Sequence, residues 1–292
     1  MARTRTPKRK KAEKYEAKGA DVFQQREGKE PTREAESQVH VLGPGIVCDT
    51  EPRGQATPQG RSPLEIVVDA SEGFIPLWAK DVTLRWRFRE RSMNNFVNPA
   101  AAKREIRKLF AEALLKWGTA APVKFSEDQD VWDFEIVMRS ADDCSASGCV
   151  LASAFFPDSG RHQFVLYPKM FTQSRKEQVD TFVHEIGHIF GLRHFFAKIS
   201  EGAWPAEIFG THSPFSIMNY GTLSELSPED KADLARLYQA ARNGTLLHIN
   251  GTPIRLVKPY HTMAAPPESM VAVGQIQPVL QPPSRTVYLG EL

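Results

Sequence analysis

The pattern of apolar and polar residues has a clear period only in the middle of the chain. Between residues 82 and 88, apolar residues alternate with polar ones, which predicts a half-buried strand. Asn98 and Pro99 then supply a helix N-cap and a proline at the first helical position. Apolar residues recur at helical spacing from Ile106 to Trp117, which predicts a long helix. Four more short strands are predicted, at residues 122–125, 134–138, 151–156 and 164–167.

Two further helices are predicted after these strands. Ser174 and Glu177 have the spacing of a capping box, which indicates the start of a helix with a buried apolar face. The last helix is predicted to begin at Pro228, with Ser227 as its N-cap, and to end at residues 243–244, an Asn-Gly pair. The order is therefore strand, helix, several strands, a second helix and a closing helix.

The two ends of the chain lack such periodicity. Residues 1–62 are polar, charged and rich in Gly, Pro and Gln, so we expect them to be disordered. Residues 63–244 contain the periodic segments and are predicted to form the folded domain. Residues 245–292 are rich in Pro and are predicted to be mostly irregular, with one extended piece over residues 246–257.

Residues 184–194 read H-E-I-G-H-I-F-G-L-R-H and contain three of the eight histidines of the chain. On a helix, His184 and His188 lie one turn apart on one face, so both imidazoles can reach one metal ion. Gly191 can adopt the left-handed conformation that ends a helix, which would bring His194 back to that ion. Three neutral imidazoles with a fourth position open to water are typical of a catalytic zinc site.

This stretch resembles the zinc-binding motif of the metzincin metallopeptidases, H-E-x-x-H-x-x-G-x-x-H. Residues 216–221, S-I-M-N-Y-G, resemble the methionine turn of that family. Residues 113–125, 151–157 and 226–238 resemble segments of the matrixin branch, so the likeness covers roughly residues 75–242. It implies an α+β, metzincin-like zincin fold. Such a fold has a twisted mixed sheet, two long helices above the cleft, and a smaller lower lobe with a C-terminal helix.

The resemblance implies a zinc-dependent metalloendopeptidase with one catalytic zinc ion held by His184, His188 and His194. Glu185 is predicted to be the general base that takes a proton from a zinc-activated water and passes it to the leaving amine. The expected partner is a protein or peptide that pairs with an edge strand near residues 151–157. The alternative is a zinc-containing binding protein with little or no activity, directed by its basic N-terminus; the intact Glu185 argues against it.

Tyr220 lies two residues after Met218, where astacins and serralysins carry a tyrosine that binds zinc or donates to the transition state. Matrixins lack a tyrosine there. We therefore predict a catalytic role for Tyr220, with a packed core tyrosine as the alternative. Met218 is predicted to be a hydrophobic base beneath the imidazoles and not a ligand.

The sequence supports a second zinc, calcium, or an inhibitory propeptide cysteine less well than it supports the catalytic zinc site. The histidine that binds a structural zinc in matrixins is replaced by Ser153, and His162 is expected to be an ordinary loop histidine. Calcium is common in matrixins, but no Asp-rich loop supports a calcium site. Cys48 does not lie in the P-R-C-G pattern of matrixin propeptides, so a latency role for Cys48 or Asp49 is not favoured.

Charge and cysteine content do not identify the cellular compartment of the protein. The net charge of +2 gives no reason to expect a nucleic-acid partner for the whole chain, and we expect a monomer. The first eighteen residues are strongly basic, which is typical of a solvated tail and also of a nuclear address. Neither a signal peptide nor a membrane span is visible, whereas metzincins are usually extracellular. In an oxidising compartment, Cys144 and Cys149 could form a disulfide.

Overall fold

The computed structural model describes residues 22–26, 40–43, 45–48, 66–70, 73–145, 148–193, 206–209, 217–218 and 225–264. The strands are β1 (His40–Gly43), β2 (Gly45–Cys48), β3 (Ile66–Asp69), β4 (Ile75–Trp78), β5 (Thr83–Phe88), β6 (Lys124–Glu127), β7 (Phe134–Met138), β8 (Asp143–Ser145), β9 (Gly148–Val150), β10 (Ala152–Ser153), β11 (His162–Leu166), β12 (Leu192–Arg193), β13 (Ala206–Phe209), β14 (His248–Ile249) and β15 (Thr252–Val257). The helices are α1 (Glu90–Met93), α2 (Pro99–Trp117), α3 (Arg175–Ile189), α4 (Pro228–Arg242) and α5 (Tyr260–Ala264), with 3-10 turns at Gly118–Ala120 and Pro168–Thr172. None of the described helices is both long and apolar enough to cross a membrane.

The main sheet has five strands in the order β10-β11-β7-β5-β6. The last four run parallel to one another, and β10 is antiparallel to β11 at one edge. Strand β5 alternates between half-buried and buried residues, as the sequence predicts. The mixed sheet and the two long helices α2 and α3 confirm the predicted α+β class.

Phe110 of α2 lies at the centre of the core. Its ring is 5.3–6.5 Å from five other aromatic rings, in β5, β6, β7, β11 and α3: Trp86, Phe125, Phe134, Phe164 and Phe182. One side chain thus joins four strands of the main sheet to both long helices. Aromatic pairs of this kind stabilise a core beyond the apolar area that they bury.

The predicted helix starts are confirmed. The Asn98 side chain accepts a hydrogen bond from the Ala101 amide at the start of α2. Ser174 and Glu177 form the predicted capping box at the start of α3. Helix α4 also begins with a capping box, in which Asp230 pairs with Ser227, where the sequence predicted only an N-cap.

The structure describes three short pieces of the N-terminal region, residues 22–26, 40–43 and 45–48. Phe23 is buried and stacks on Phe171 with ring centroids 4.1 Å apart. The Val97 amide donates to the Gln24 carbonyl, so residues 22–26 lie beside the start of α2. Strands β1 and β2 form a hairpin, and β2 also pairs with β9. A single aromatic anchor has no period, which explains why the sequence pattern did not reveal it.

The C-terminal extended piece is confirmed, and it packs against the domain. Strands β14 and β15 form a hairpin whose turn has positive φ at Asn250 and Gly251. Strand β15 pairs in parallel with β4, so the packed part of the chain extends past residue 244. In another hairpin, formed by β8 and β9, Cys144 and Cys149 are joined by a disulfide.

Candidate active site

His184 and His188 lie one turn apart on α3, and both side chains are buried. Their exposed fractions are 2% and 0%. The two rings are nearly perpendicular, with centroids 4.8 Å apart, and the two Nε2 atoms are 3.2 Å apart. The helix therefore brings two imidazole nitrogens to one point, as the spacing in the sequence predicts.

A backbone carbonyl fixes the orientation of each ring. His184 Nδ1 is 2.8 Å from the Ile217 oxygen, and His188 Nδ1 is 2.7 Å from the Leu192 oxygen. Since a carbonyl only accepts hydrogen bonds, each Nδ1 is assigned the proton, and each neutral ring presents its Nε2 lone pair to the other. An imidazolium that donates to its neighbour would fit the same distance, but burying that charge is costly.

The two Nε2 atoms fit a zinc ion. Nitrogen ligands lie about 2.0–2.1 Å from zinc, so two of them in a tetrahedral site are about 3.3 Å apart. The distance between the two Nε2 atoms is 3.2 Å. Metal-binding histidines also usually donate their other ring N–H to a carbonyl or carboxylate, as His184 and His188 do.

The chain leaves α3 through the predicted glycine turn. Gly191 has a φ of +89°, in the left-handed region, and its amide donates to the His188 carbonyl at 2.8 Å. A Cβ atom at Gly191 would lie 3.3 Å from the Pro76 carbonyl oxygen, so the backbone is crowded as well. The next two residues form β12, which pairs with β3. This turn redirects the chain from α3 into β12.

Met218 supports α3 at the level of the two histidines. A Cβ atom on Gly187 would lie 2.6 Å from the Met218 sulfur, so the missing side chain of Gly187 leaves room for the methionine. Met218 is buried, and the preceding Ile217 supplies the carbonyl that orients His184. These contacts agree with a hydrophobic base beneath the imidazoles.

The structure describes three of the five predicted site residues, His184, Glu185 and His188, all on α3. Glu185 follows His184 directly on α3 and has an exposed fraction of 1%. His194 and Tyr220 lie outside the described residues. Among the residues that are described, no three His, Cys, Asp or Glu side chains group as a metal site. The roles of all five residues remain predictions.

The matrixin family model matches residues 77–200, which include the pair of histidines. Over these residues the chain is similar to the matrixins, and we refer to them as the matrixin-like domain. Metalloendoproteinase 4-MMP of Arabidopsis thaliana is 29% identical over 137 residues, 42% of this chain and 40% of the relative. Stromelysin-3 of Rattus norvegicus is 28% identical over 146 residues, 47% of this chain and 27% of the relative. The chain thus spans less than half the length of either relative.

A solved structure, that of myroilysin, is also similar, at 14% sequence identity and a TM-score of 0.38. The similarity covers 59% of this chain and 98% of that one. At this score the overlap adds nothing to the description of the matrixin-like domain.

His162 of the matrixin-like domain lies in strand β11 and not in a loop, which corrects the expectation from the sequence. Its ring is buried and stacks on Phe155 with centroids 4.4 Å apart. His162 Nε2 is 3.5 Å from an Asp158 carboxylate oxygen. Ser153 lies in the edge strand β10 and is half-buried. His162 therefore packs against Phe155 at the start of β11.

Sequence reasoning also missed Phe156, which contacts the histidine pair, and Arg193, which contacts Phe156. The half-buried Phe156 ring meets the His188 ring edge-on, with centroids 5.5 Å apart. The buried Arg193 guanidinium lies 5.1 Å from the centre of the Phe156 ring. An aromatic ring beside a ligand-type histidine limits the movement of its imidazole, and the sequence motif contains no signal for it.

Proposed function

We propose that this chain is a zinc-dependent metalloendopeptidase. The observation that carries the proposal is the 3.2 Å distance between the Nε2 atoms of His184 and His188, with each Nδ1 within hydrogen-bond distance of a backbone carbonyl. This distance is close to the separation of about 3.3 Å expected for two nitrogen ligands of one tetrahedral zinc ion. The matrixin-like character of residues 77–200 supports the same function.

Each predicted site residue has one role in this proposal. His184, His188 and His194 hold one zinc ion, which when bound supplies a Lewis acid for the peptide carbonyl and for water. Glu185 accepts the proton of the attacking water and delivers it to the leaving amine, so one carboxylate serves as base and then as acid. Tyr220 donates a hydrogen bond to the oxyanion of the transition state.

The substrate in this proposal is an extended peptide that pairs with strand β10. That strand is the last strand of the main sheet on its side, and among the described strands none pairs with its outer edge. A free edge offers backbone N–H and C=O groups that an extended peptide can match. Phe156, three residues after β10, would line the path of the peptide beside His188.

Cleavage of a mixed peptide library by the full-length, zinc-loaded protein tests the proposal. We expect internal cleavage that stops with a zinc chelator, returns with added zinc, and falls by about 10²- to 10⁴-fold in Glu185→Gln. Zinc content must be equal in the wild type and Glu185→Gln, so that the loss reports on the carboxylate and not on the metal. Cleavage that resists the chelator would contradict the proposal.

Zinc binding without cleavage would also contradict the proposal, in favour of a zinc-containing binding protein. In that case deletion of residues 1–20 would test whether the basic arm directs the chain to a partner. The binding function should then depend on residues 1–20 and not on Glu185.

A further inference from the structure

Two side chains from distant parts of the chain hold the turn that follows α3. Trp78 Nε1 donates to the Ile189 carbonyl at 2.7 Å. The Tyr238 hydroxyl donates to the Phe190 carbonyl at 3.0 Å. The last carbonyls of a helix have no partner within the helix, so such donors decide how the chain leaves it. Here one donor comes from β4 and the other from α4.

The Tyr238 hydroxyl is a fixed donor in this position. Tyr238 is 2% exposed, and its oxygen accepts a hydrogen bond from the Trp78 amide at 3.3 Å. Burial raises the pKa of Tyr238 far above its ordinary value, so the phenol keeps its proton at every pH of interest. With its oxygen accepting from Trp78, its proton is directed at Phe190.

Helix α4 is itself tied to the same region. The Arg242 guanidinium donates to the Trp78, Ala79 and Pro122 carbonyls, with Nη2 distances of 3.0, 2.9 and 2.8 Å. It also lies 4.6 Å from the centre of the Tyr238 ring. Several hydrogen bonds therefore fix the C-terminal end of α4, from which the Tyr238 side chain reaches the turn.

The turn leads directly to the histidine pair. Phe190 is followed by Gly191 and then by Leu192, whose carbonyl accepts from His188 Nδ1 at 2.7 Å. A shift of the Phe190 carbonyl would move the Leu192 carbonyl, and with it the ring of His188. We infer that Tyr238 is a positioning residue for the metal site, acting through the turn at Phe190 on the ring of His188. This inference rests on the zinc site of the proposed function.

Zinc affinity of the full-length protein tests the inference, measured by competition with a chromogenic chelator. Tyr238→Phe removes only the hydroxyl, and we expect zinc to bind about 10- to 100-fold more weakly, as for other losses of a group that orients a ligand. In the cobalt-substituted protein, the visible absorption bands of Tyr238→Phe should shift or weaken, because the ligand geometry changes.

Gln178→Met is the matched control. The Gln178 amide donates to the Phe171 and Gln173 carbonyls at 3.3 and 3.0 Å, near the start of the same helix. Its loss also removes buried hydrogen bonds, so we expect both variants to lower the Tm of the metal-free protein by a few degrees. Only Tyr238→Phe should weaken zinc binding and change the cobalt spectrum.

Equal zinc affinity in Tyr238→Phe and wild type would overturn the inference. Equal weakening in Tyr238→Phe and Gln178→Met would also overturn it, because helix stability alone would then explain the loss. If Tyr238→Phe does not fold, zinc affinity is measured in Trp78→Phe, which removes the neighbouring donor to the Ile189 carbonyl. Zinc affinity equal to that of the wild type, or weakened only as much as in Gln178→Met, would again overturn the inference. If the wild-type protein binds zinc but does not cleave peptides, only the proposed peptidase function is contradicted. If the wild-type protein binds no zinc, both the proposed function and the inference about Tyr238 are contradicted.

Discussion

The two ends of helix α3 are held in different ways. Its start is exposed and is capped by its own sequence, through the reciprocal hydrogen bonds of Ser174 and Glu177. Its end is buried and is capped by Trp78 and Tyr238, which are 111 and 48 residues from the carbonyls that they bind. Local sequence therefore caps the start of the helix, whereas the end combines a local glycine turn at Gly191 with tertiary hydrogen bonds. The predicted zinc ligands His184 and His188 lie near the C-terminal end of α3, where the tertiary contacts are made.

If this comparison is correct, changes near the end of α3 should affect zinc and catalysis, and changes at its start should affect only stability. We expect the largest effect from Glu185→Gln, which removes the predicted general base and keeps the size of the side chain. Peptide cleavage should fall by about 10²- to 10⁴-fold, the usual contribution of a general base. Steady-state kinetics at matched zinc content measures it, and a fall of less than tenfold would remove Glu185 from that role.

Gly191→Ala should have the next largest effect. Its φ of +89° is costly for alanine, and the new Cβ would lie 3.3 Å from the Pro76 oxygen. We expect a loss of about 1–3 kcal/mol in the free energy of unfolding, measured in urea, together with weaker zinc binding. Gly244→Ala is the control, because Gly244 has a φ of +72° after α4 but no neighbouring atom within 4 Å of the Cβ position. Weaker zinc binding in both variants would contradict a local effect.

Gly187→Ala should reveal how closely Met218 supports the helix. The new Cβ would lie 2.6 Å from the Met218 sulfur, and forcing it in should cost about 1–3 kcal/mol. Replacing a helical glycine by alanine returns about 1 kcal/mol, so we expect a net loss of up to about 2 kcal/mol. In a Met218→Ala background the loss should disappear, which a double-mutant cycle measures. Additive effects would show that the two residues do not press on each other.

Ser174→Ala applies the opposite test, at the start of α3. Loss of the cap should lower the free energy of unfolding by about 1 kcal/mol, measured in urea. Zinc affinity should not change, because the cap lies more than two turns from His184. Ser227→Ala on α4 offers a comparison, since it removes a second capping box. A clear fall in zinc affinity of Ser174→Ala would break the distinction between the two ends.

The same distinction explains what the sequence could reveal. The periodic strands, the caps of α2 and α3, the spacing of His184 and His188, and the left-handed turn at Gly191 all depend on neighbours within a few residues. Such local rules can be applied without knowledge of the fold. The α+β class and the position of the histidine pair were predicted for that reason.

Partners that are distant in the sequence could not be predicted in this way. No local pattern connects Tyr238 to Phe190, pairs β15 with β4, or brings Phe23 onto Phe171. The Ile217 and Leu192 carbonyls that orient the imidazoles are backbone atoms, which every residue carries. Their selection depends on packing, so the outer contacts of the site emerged only from the structure.

The smallest expected effect concerns pH at the start of α3. Hydrogen bonds from the Ser174 hydroxyl and amide lower the pKa of Glu177 from its ordinary value of 4.5. A lowered pKa in the folded state contributes stability above the unfolded pKa, and this contribution is lost as the pH falls through the folded pKa. Glu177 is exposed, so we expect at most about 0.5 kcal/mol.

Glu177→Gln isolates the contribution of the ionised carboxylate to the free energy of unfolding, because glutamine has a similar length and cannot ionise. In urea unfolding, the wild type should be slightly more stable at pH 7, and the difference should shrink as the pH falls below about 4, near the ordinary pKa of glutamate. Zinc affinity at pH 7 should be equal in the two proteins, since the ionised cap lies at the end of α3 that is remote from the histidines. A difference in stability that grows at low pH would have the wrong sign for a stabilised carboxylate. The contribution of the capping box would then have to come from its geometry alone.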